Sequence, residues 1–164
     1  MLDDLLAPRL KLVVCGSAAG DRSVQLGQYY AGPGNKFWST IAAVGLTPRR
    51  LRPAEYQLLL TFGIGLTDLI KEQSGTDTGI DFSGAEPASL RDKLLDFRPG
   101  ILCFNGKRAG QEFLARASVA YGLQSERVGR THLFIAPSTS GAASGSWDLS
   151  VWETLSNLVR AHSV

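Results

Sequence analysis

Three short apolar runs punctuate the chain: Leu10 to Cys15 (LKLVVC), Gly100 to Phe104 (GILCF) and Thr131 to Ala136 (THLFIA). Runs of this length, apolar throughout and bounded by Gly or Pro, are the pattern of strands buried on both faces. Helical spacing lies between and around them at Asn35 to Val44, Pro53 to Phe62, Ala88 to Phe97, Lys107 to Ala117 and Asp148 to Ala161. The proline that opens the second of these is tolerated in a first helical turn. Ile64 to Ile70 (IGLTDLI) reads as a fourth strand or as an extended connector. Strand alternating with helix predicts an α/β fold: a parallel sheet with helices on both faces and right-handed crossovers.

Two Gly-, Ser- and Ala-rich stretches, Gly16 to Gly34 and Ser138 to Ser146, each follow a predicted strand directly. In an open parallel sheet ligands bind beyond the carboxyl ends of strands, and long loops there are usually functional. A site is therefore expected at this edge. Glu72 to Pro87 is polar and glycine-bearing and reads as a surface loop.

The composition adds exclusions. A chain of 164 residues with 44% hydrophobic residues can bury roughly two thirds of its surface as one domain, 1–164, without disulfide or metal support. No apolar run approaches the ~18 residues of a membrane helix, and the acidic start, Met1-Leu2-Asp3-Asp4, is unlike a signal peptide, so a cytoplasmic protein is expected. Cys15, Cys103, His132 and His162 have no metal-site spacing, and the cysteines read as buried, reduced core residues. A net charge of +2 is only mildly basic, but Arg49, Arg50 and Arg52 cluster on one linker, with Lys107, Arg108, Arg127 and Arg130 further on.

Gly16-Ser17-Ala18-Ala19-Gly20 follows the first strand but matches neither the dinucleotide nor the P-loop pattern, so no nucleotide cofactor is expected. Glycines after a strand do let backbone N–H groups approach a ligand closely. Tyr29-Tyr30-Ala31-Gly32-Pro33-Gly34-Asn35-Lys36-Phe37-Trp38 then sets aromatics on a Gly/Pro loop ahead of a helix. Loop aromatics of this kind stack on planar rings.

The opening LDDLLAPRLKLVVCG, the block YYAGPGNKFW and the segments VGLTPRRLRP and GLTDLI, in that order, resemble the mismatch-specific uracil-DNA glycosylases. ILCFNGKRAGQEF and FIAPSTSG are similar to that family's third strand and second active-site loop. Glu72 to Pro87 and Ala120 to Arg130 lie outside the resemblance. It implies a three-layer α/β/α sandwich around a central, mainly parallel four-stranded sheet. It also implies a cofactor-free monomer that flips a damaged base out of DNA and hydrolyses its glycosidic bond.

Departures from the family pattern direct attention to one residue. The first family motif, Gly-x-Asn-Pro-Gly, uses its Asn to position water, and Ala18 stands there. The second, Asn-Pro-Ser-Gly-Leu, appears as Ser138-Thr139-Ser140-Gly141-Ala142, without the Asn or the bulky wedge. Asp68, at a family position beside the pocket, is the expected replacement: a carboxylate near C1′ stabilises an oxocarbenium-like sugar and orients or deprotonates water. Bracing of the strand end is the alternative role for Asp68, and Asp21 is a second carboxylate candidate.

By matched position, Gly16, Ser17, Ala18, Ser23, Tyr30 and Asn35 are expected to form the base pocket. Tyr30 would stack on the base, and N–H groups around Ser17 and Tyr30 would hold its carbonyl oxygens. Asn35 also reads as a helix cap. Lys107, Ser138, Ser140, Gly141 and Ala142 are expected to meet DNA. No lysine is placed for a Schiff base, so hydrolysis without strand cleavage is expected. A catalytically inactive DNA-binding module and a small-molecule nucleosidase are the competing readings.

Overall fold

The computed structural model describes residues 1–161, so His162 lies outside the described residues. A five-stranded sheet runs β2-β1-β3-β5-β4, built from β1 (Leu12–Gly16), β2 (Ile64–Asp68), β3 (Ile101–Asn105), β4 (Gly122–Val128) and β5 (Thr131–Ala136). The first four in that spatial order are parallel, and β4 pairs antiparallel with β5. The expected four-stranded sheet is thus corrected to a mixed, mostly parallel one of five strands. Ile64–Asp68 is a strand, not a connector.

The fifth strand, GLQSERV, is reached across the tight Gly129-Arg130 turn, where Gly129 has φ +57°. Its residues are mostly exposed or half-buried because it is an edge strand, and only Val128 is buried. That polar makeup removes the apolar run by which the other strands are recognised.

Residues of β1, β3 and β5 alternate between two cores. Leu12, Val14, Ile101, Cys103 and Phe134 face Phe37, Trp38, Ile41, Trp152 and Leu155, which belong to α2 (Phe37–Ala43) and α5 (Leu149–Ala161). Val13, Cys15, Leu102, Phe104 and Ile135 face Leu90, Leu94, Ala109 and Phe113 of α3 (Pro87–Phe97) and α4 (Lys107–Leu114). Helices therefore cover both faces of the sheet, as the apolar runs require. Cys15 and Cys103 are buried and form no disulfide.

Other departures are local. A six-residue helix, α1 (Asp21–Leu26), forms inside the first Gly-rich stretch and ends at Gly27 with φ +67°. α2 starts at Phe37, two residues after its expected beginning. Pro53–Phe62 winds in 3-10 turns instead of an α-helix, with Glu55 accepting the N–H of Arg52 at 2.9 Å.

A strap formed by the first residues crosses the outer edge of β2. Leu5 exchanges both backbone hydrogen bonds with Leu66, at 2.9 Å each, and Leu2 and Leu5 are buried. This crossing needs glycine at position 65. A Cβ there would stand 2.5 Å from the Leu5 carbonyl oxygen and 2.6 Å from Leu10 Cδ1, and a main-chain oxygen cannot turn aside as a side chain can. Gly65→Ala is expected to lower unfolding free energy by about 1–3 kcal/mol, read from the midpoint of a urea transition at unchanged slope.

Candidate active site

The carboxyl ends of β1, β2, β3 and β5 converge on a cavity of about 780 Å³. Gly16 ends β1 in register with Asp68, which ends β2. A Cβ on Gly16 would lie 2.8 Å from Asp68 Oδ1 and 3.4 Å from the Tyr30 hydroxyl, so the missing side chain is what lets both groups enter the floor. Tyr30 has the left-handed φ of +52°, uncommon for a residue with a side chain. Its ring stacks on Phe37 at 4.2 Å and 26°, and its buried hydroxyl, beside the Asn105 side chain, makes no well-formed hydrogen bond among the described residues.

Asp68 is 5% exposed, and burial raises its carboxyl to about 6. The Lys71 ammonium, 3.7 Å from Oδ2, opposes that rise, while the carboxylate of Asp4 adds to it. Asp4 in turn binds Lys71 at 2.9 Å, Lys93 at 2.6 Å and the Thr67 hydroxyl at 2.7 Å. Burial alone would push Asp4 up, but these three partners together hold it below its ordinary value. Lys71 also donates to the Tyr29 hydroxyl at 3.3 Å, and that hydroxyl donates to the Asp3 carbonyl at 2.8 Å. The strap, α3 and the end of β2 thus assemble an alternating row of charges behind the floor: Asp68, Lys71, Asp4, Lys93.

The walls are loops pinned to one another. Asn105, ending β3, donates its amide to Thr139 Oγ1 at 2.9 Å and accepts the Thr139 N–H at 3.0 Å. This pair fixes the loop after β5, which is further held by Trp152 Nε1 donating to the Pro137 carbonyl. Lys36 N–H donates to the Thr139 carbonyl at 2.8 Å, and a Cβ on Gly141 would stand 3.3 Å from the Gly34 carbonyl oxygen. The two Gly-rich loops therefore touch through main chain at one rim.

The opposite rim is the polar stretch 72–87, which lies largely on the surface as expected and also borders the cavity. Ser74 pairs with Ala19 in a parallel bridge, Gly75 N–H donates to the Ala19 carbonyl, and Ser74 Oγ donates to Asp21. Ile70, Ile80 and Phe82 form a small apolar cluster against which Ala18 packs. Gly75 to Thr78 consequently line the cavity. Burial raises the Asp77 carboxyl above its ordinary value, against the opposing Ser17 hydroxyl and Arg108.

All twelve residues expected at the site line this one cavity: Gly16, Ser17, Ala18, Ser23, Tyr30, Asn35, Asp68, Lys107, Ser138, Ser140, Gly141 and Ala142. Several side chains are already engaged. Ser23 Oγ accepts the Ala31 N–H at 3.0 Å, and Asn35 Oδ1 accepts the Phe37 N–H at 2.9 Å in a local turn, while the N-cap of α2 is Lys36, which corrects the cap expected at Asn35 by one residue. Ser138 and Ser140 each accept an N–H two residues on, at 3.2 and 3.3 Å. Lys107 lies over the Tyr121 ring at 4.4 Å. Asp21 stands at the rim, paired with Ser74 rather than with the floor.

Asn105, Thr139, Asp77 and Tyr121 also belong to the lining and were not singled out from the sequence. Asn105 carried a usable signal, a polar residue ending an apolar run at a sheet's carboxyl edge. Asp77 and Tyr121 carried none, because they arrive from the two segments outside the family resemblance.

Residues 4–156 match the uracil DNA glycosylase superfamily. A solution NMR structure from Methanosarcina acetivorans, of a protein named as a candidate uracil DNA glycosylase, superposes with a TM-score of 0.69. The two share 23% identity over 97% of this chain and 96% of that one, a likeness of fold. The superfamily match spans all four strand ends that carry the cavity and both loops that close it, and the chain belongs to the uracil DNA glycosylase superfamily.

Proposed function

We propose that the protein is a monofunctional DNA glycosylase of the mismatch-specific type, excising uracil and related bases and leaving an abasic site. The observation that carries this reading is the Asp68 carboxylate on the floor of the cavity, in the space that Gly16 leaves open beside Tyr30. Superfamily membership supports the reaction class, and the residue roles follow from position.

A flipped uracil enters with its ring against the open side of Tyr30, whose other face rests on Phe37. The C1′–N1 bond breaks, and its electron pair leaves with the base as an anion. Main-chain N–H groups at Ser17 and Tyr30 receive the anion's oxygens. Asp68, ionised, faces the cationic sugar, orients water toward C1′ and accepts its proton as the new C1′–O bond forms. Lys71 keeps that carboxylate charged despite its burial, and Asp4 limits how far. Lys107 and the loop from Ser138 to Ala142 stand at the mouth, where the strand enters.

One observation favours the inactive-module reading: Ala18 offers no polar atom and is covered by the Ile70, Ile80 and Phe82 cluster, so water-holding chemistry at that position is lost. The two readings separate on Asp68. In single-turnover assays on uracil-containing single strands and U·G duplexes, Asp68→Asn is expected to cut about 10² times slower than the native chain. Equal rates would assign the attack to a different group, and no cleavage by either would favour the module.

The row of charges gives a second test, with its sign fixed. Asp68 works as a base only when ionised, so the rate should fall as pH drops through about 6. Lys71→Met removes the cation that favours the carboxylate and moves this acid limb to higher pH. Asp4→Asn removes the like charge and moves it to lower pH. Single-turnover rates across pH 4.5–8.5 would show both displacements, and identical limbs in all three proteins would remove Asp68 from the titrating role.

A further inference from the structure

The arginine cluster singled out in the sequence is left unused by the base pocket. Leu51 is buried and anchors its linker, while Arg50 and Arg52 project from either side of it and are exposed. Together with Trp38, Pro53 and the loop from Tyr30 to Asn35 they line a second, separate cavity of about 420 Å³. Tyr30, Gly32 and Asn35 line both cavities, so the groove adjoins the candidate active site.

The charges of this groove are not balanced from within. Glu55 is the carboxylate beside the cluster, and Arg49 takes it with both guanidinium nitrogens, at 3.1 and 2.8 Å. Arg52 reaches Glu55 only at 3.5 Å, with its side chain 79% exposed. Arg50 has no ion-pair partner among the described residues. Glu55 thus serves two of the three guanidinium groups, and Arg50 and Arg52, which line the groove, are the two least committed to it. Gly32 and Gly34 keep part of the facing loop, which also carries Tyr30, Ala31 and Asn35, free of side chains, and Gly34, at φ +78°, closes against Gly141. A groove with two weakly committed guanidinium groups on one wall and a glycine-bearing loop on the other suits a phosphodiester, whose oxygens accept from guanidinium forks.

We infer that the groove between Arg50, Arg52 and the Tyr30–Asn35 loop is a phosphate-binding channel for the DNA strand that carries the flipped nucleotide. The inference rests on the glycosylase reading only for the identity of that nucleotide. Contact with the backbone there would fix the strand while its base occupies the adjoining pocket, with no base of the strand being read.

Binding to undamaged DNA, single-stranded and duplex, measured by fluorescence anisotropy over a range of salt concentrations, tests the channel separately from catalysis. The double variant Arg50→Gln/Arg52→Gln is expected to reduce the slope of log affinity against log salt by about one to two. Arg50→Lys/Arg52→Lys, which keeps both charges, should hold the native slope. So should Arg116→Gln, whose charge lies beside Glu126 of β4 and outside both cavities. A native slope in the Gln variant, or an equal reduction in Arg116→Gln, would overturn the channel. Uracil excision by the native chain, assayed in parallel, keeps the two ideas apart: a reduced slope without excision supports the channel and sinks the glycosylase reading. Excision with an unchanged slope does the opposite.

Discussion

A carboxylate held almost without solvent at the end of a parallel sheet is the constraint to which the rest of the structure answers. Asp68 fits there only because its neighbour in register, Gly16, has no side chain, and it keeps a charge only because cations stand behind it. An unaccompanied buried carboxylate would take up a proton. Lys71 alone would tie Asp68 into an ordinary ion pair, but Asp4 holds the same ammonium at 2.9 Å against 3.7 Å for Asp68. The cation is shared unequally, in favour of the carboxylate that does not face the cavity. That leaves Asp68 ionisable near neutrality without satisfying it completely, which is what a base requires.

The sharing depends on the strap. Asp4 is placed by the Leu5 and Leu66 backbone pairing, which exists because Gly65 lets the two chains meet, so two glycines on adjacent strands serve one carboxylate from opposite sides. The segment 72–87 makes a comparable adjustment at the other rim. At that rim Ala18 presents only a methyl group, and the apolar cluster of Ile70, Ile80 and Phe82 packs against it. The same segment brings Asp77 to the cavity lining.

How much of this could be read from the sequence follows the physics of each element. β1, β3 and β5 were legible because burial on both faces forces unbroken apolar runs. β4 was hidden because its residues at an exposed edge are charged and polar, and α1 because six residues, DRSVQL, are too few to show a stripe. The twelve residues expected at the site come together because strand ends in a parallel sheet gather on one edge whatever separates them in the chain. The charge row was not legible: Asp4 and Lys93 stand 89 positions apart and meet only through the strap and α3. Side chains already spent on local hydrogen bonds, such as those of Ser23 and Asn35, also read the same in sequence as free ones.

The burial of Cys15 has a chemical consequence at the cavity floor. Its thiol sits one residue from Gly16, and burial, then the charges of Asp68 and Asp4, push its ionisation far upward. Attack on peroxides and electrophiles needs the thiolate, so the carboxylate proposed to activate water, with Asp4 behind it, also withholds the nearest sulfur from that chemistry. Oxidants would then meet an inert strand beside the cavity, and alkylation of its thiol would require the sheet to open first.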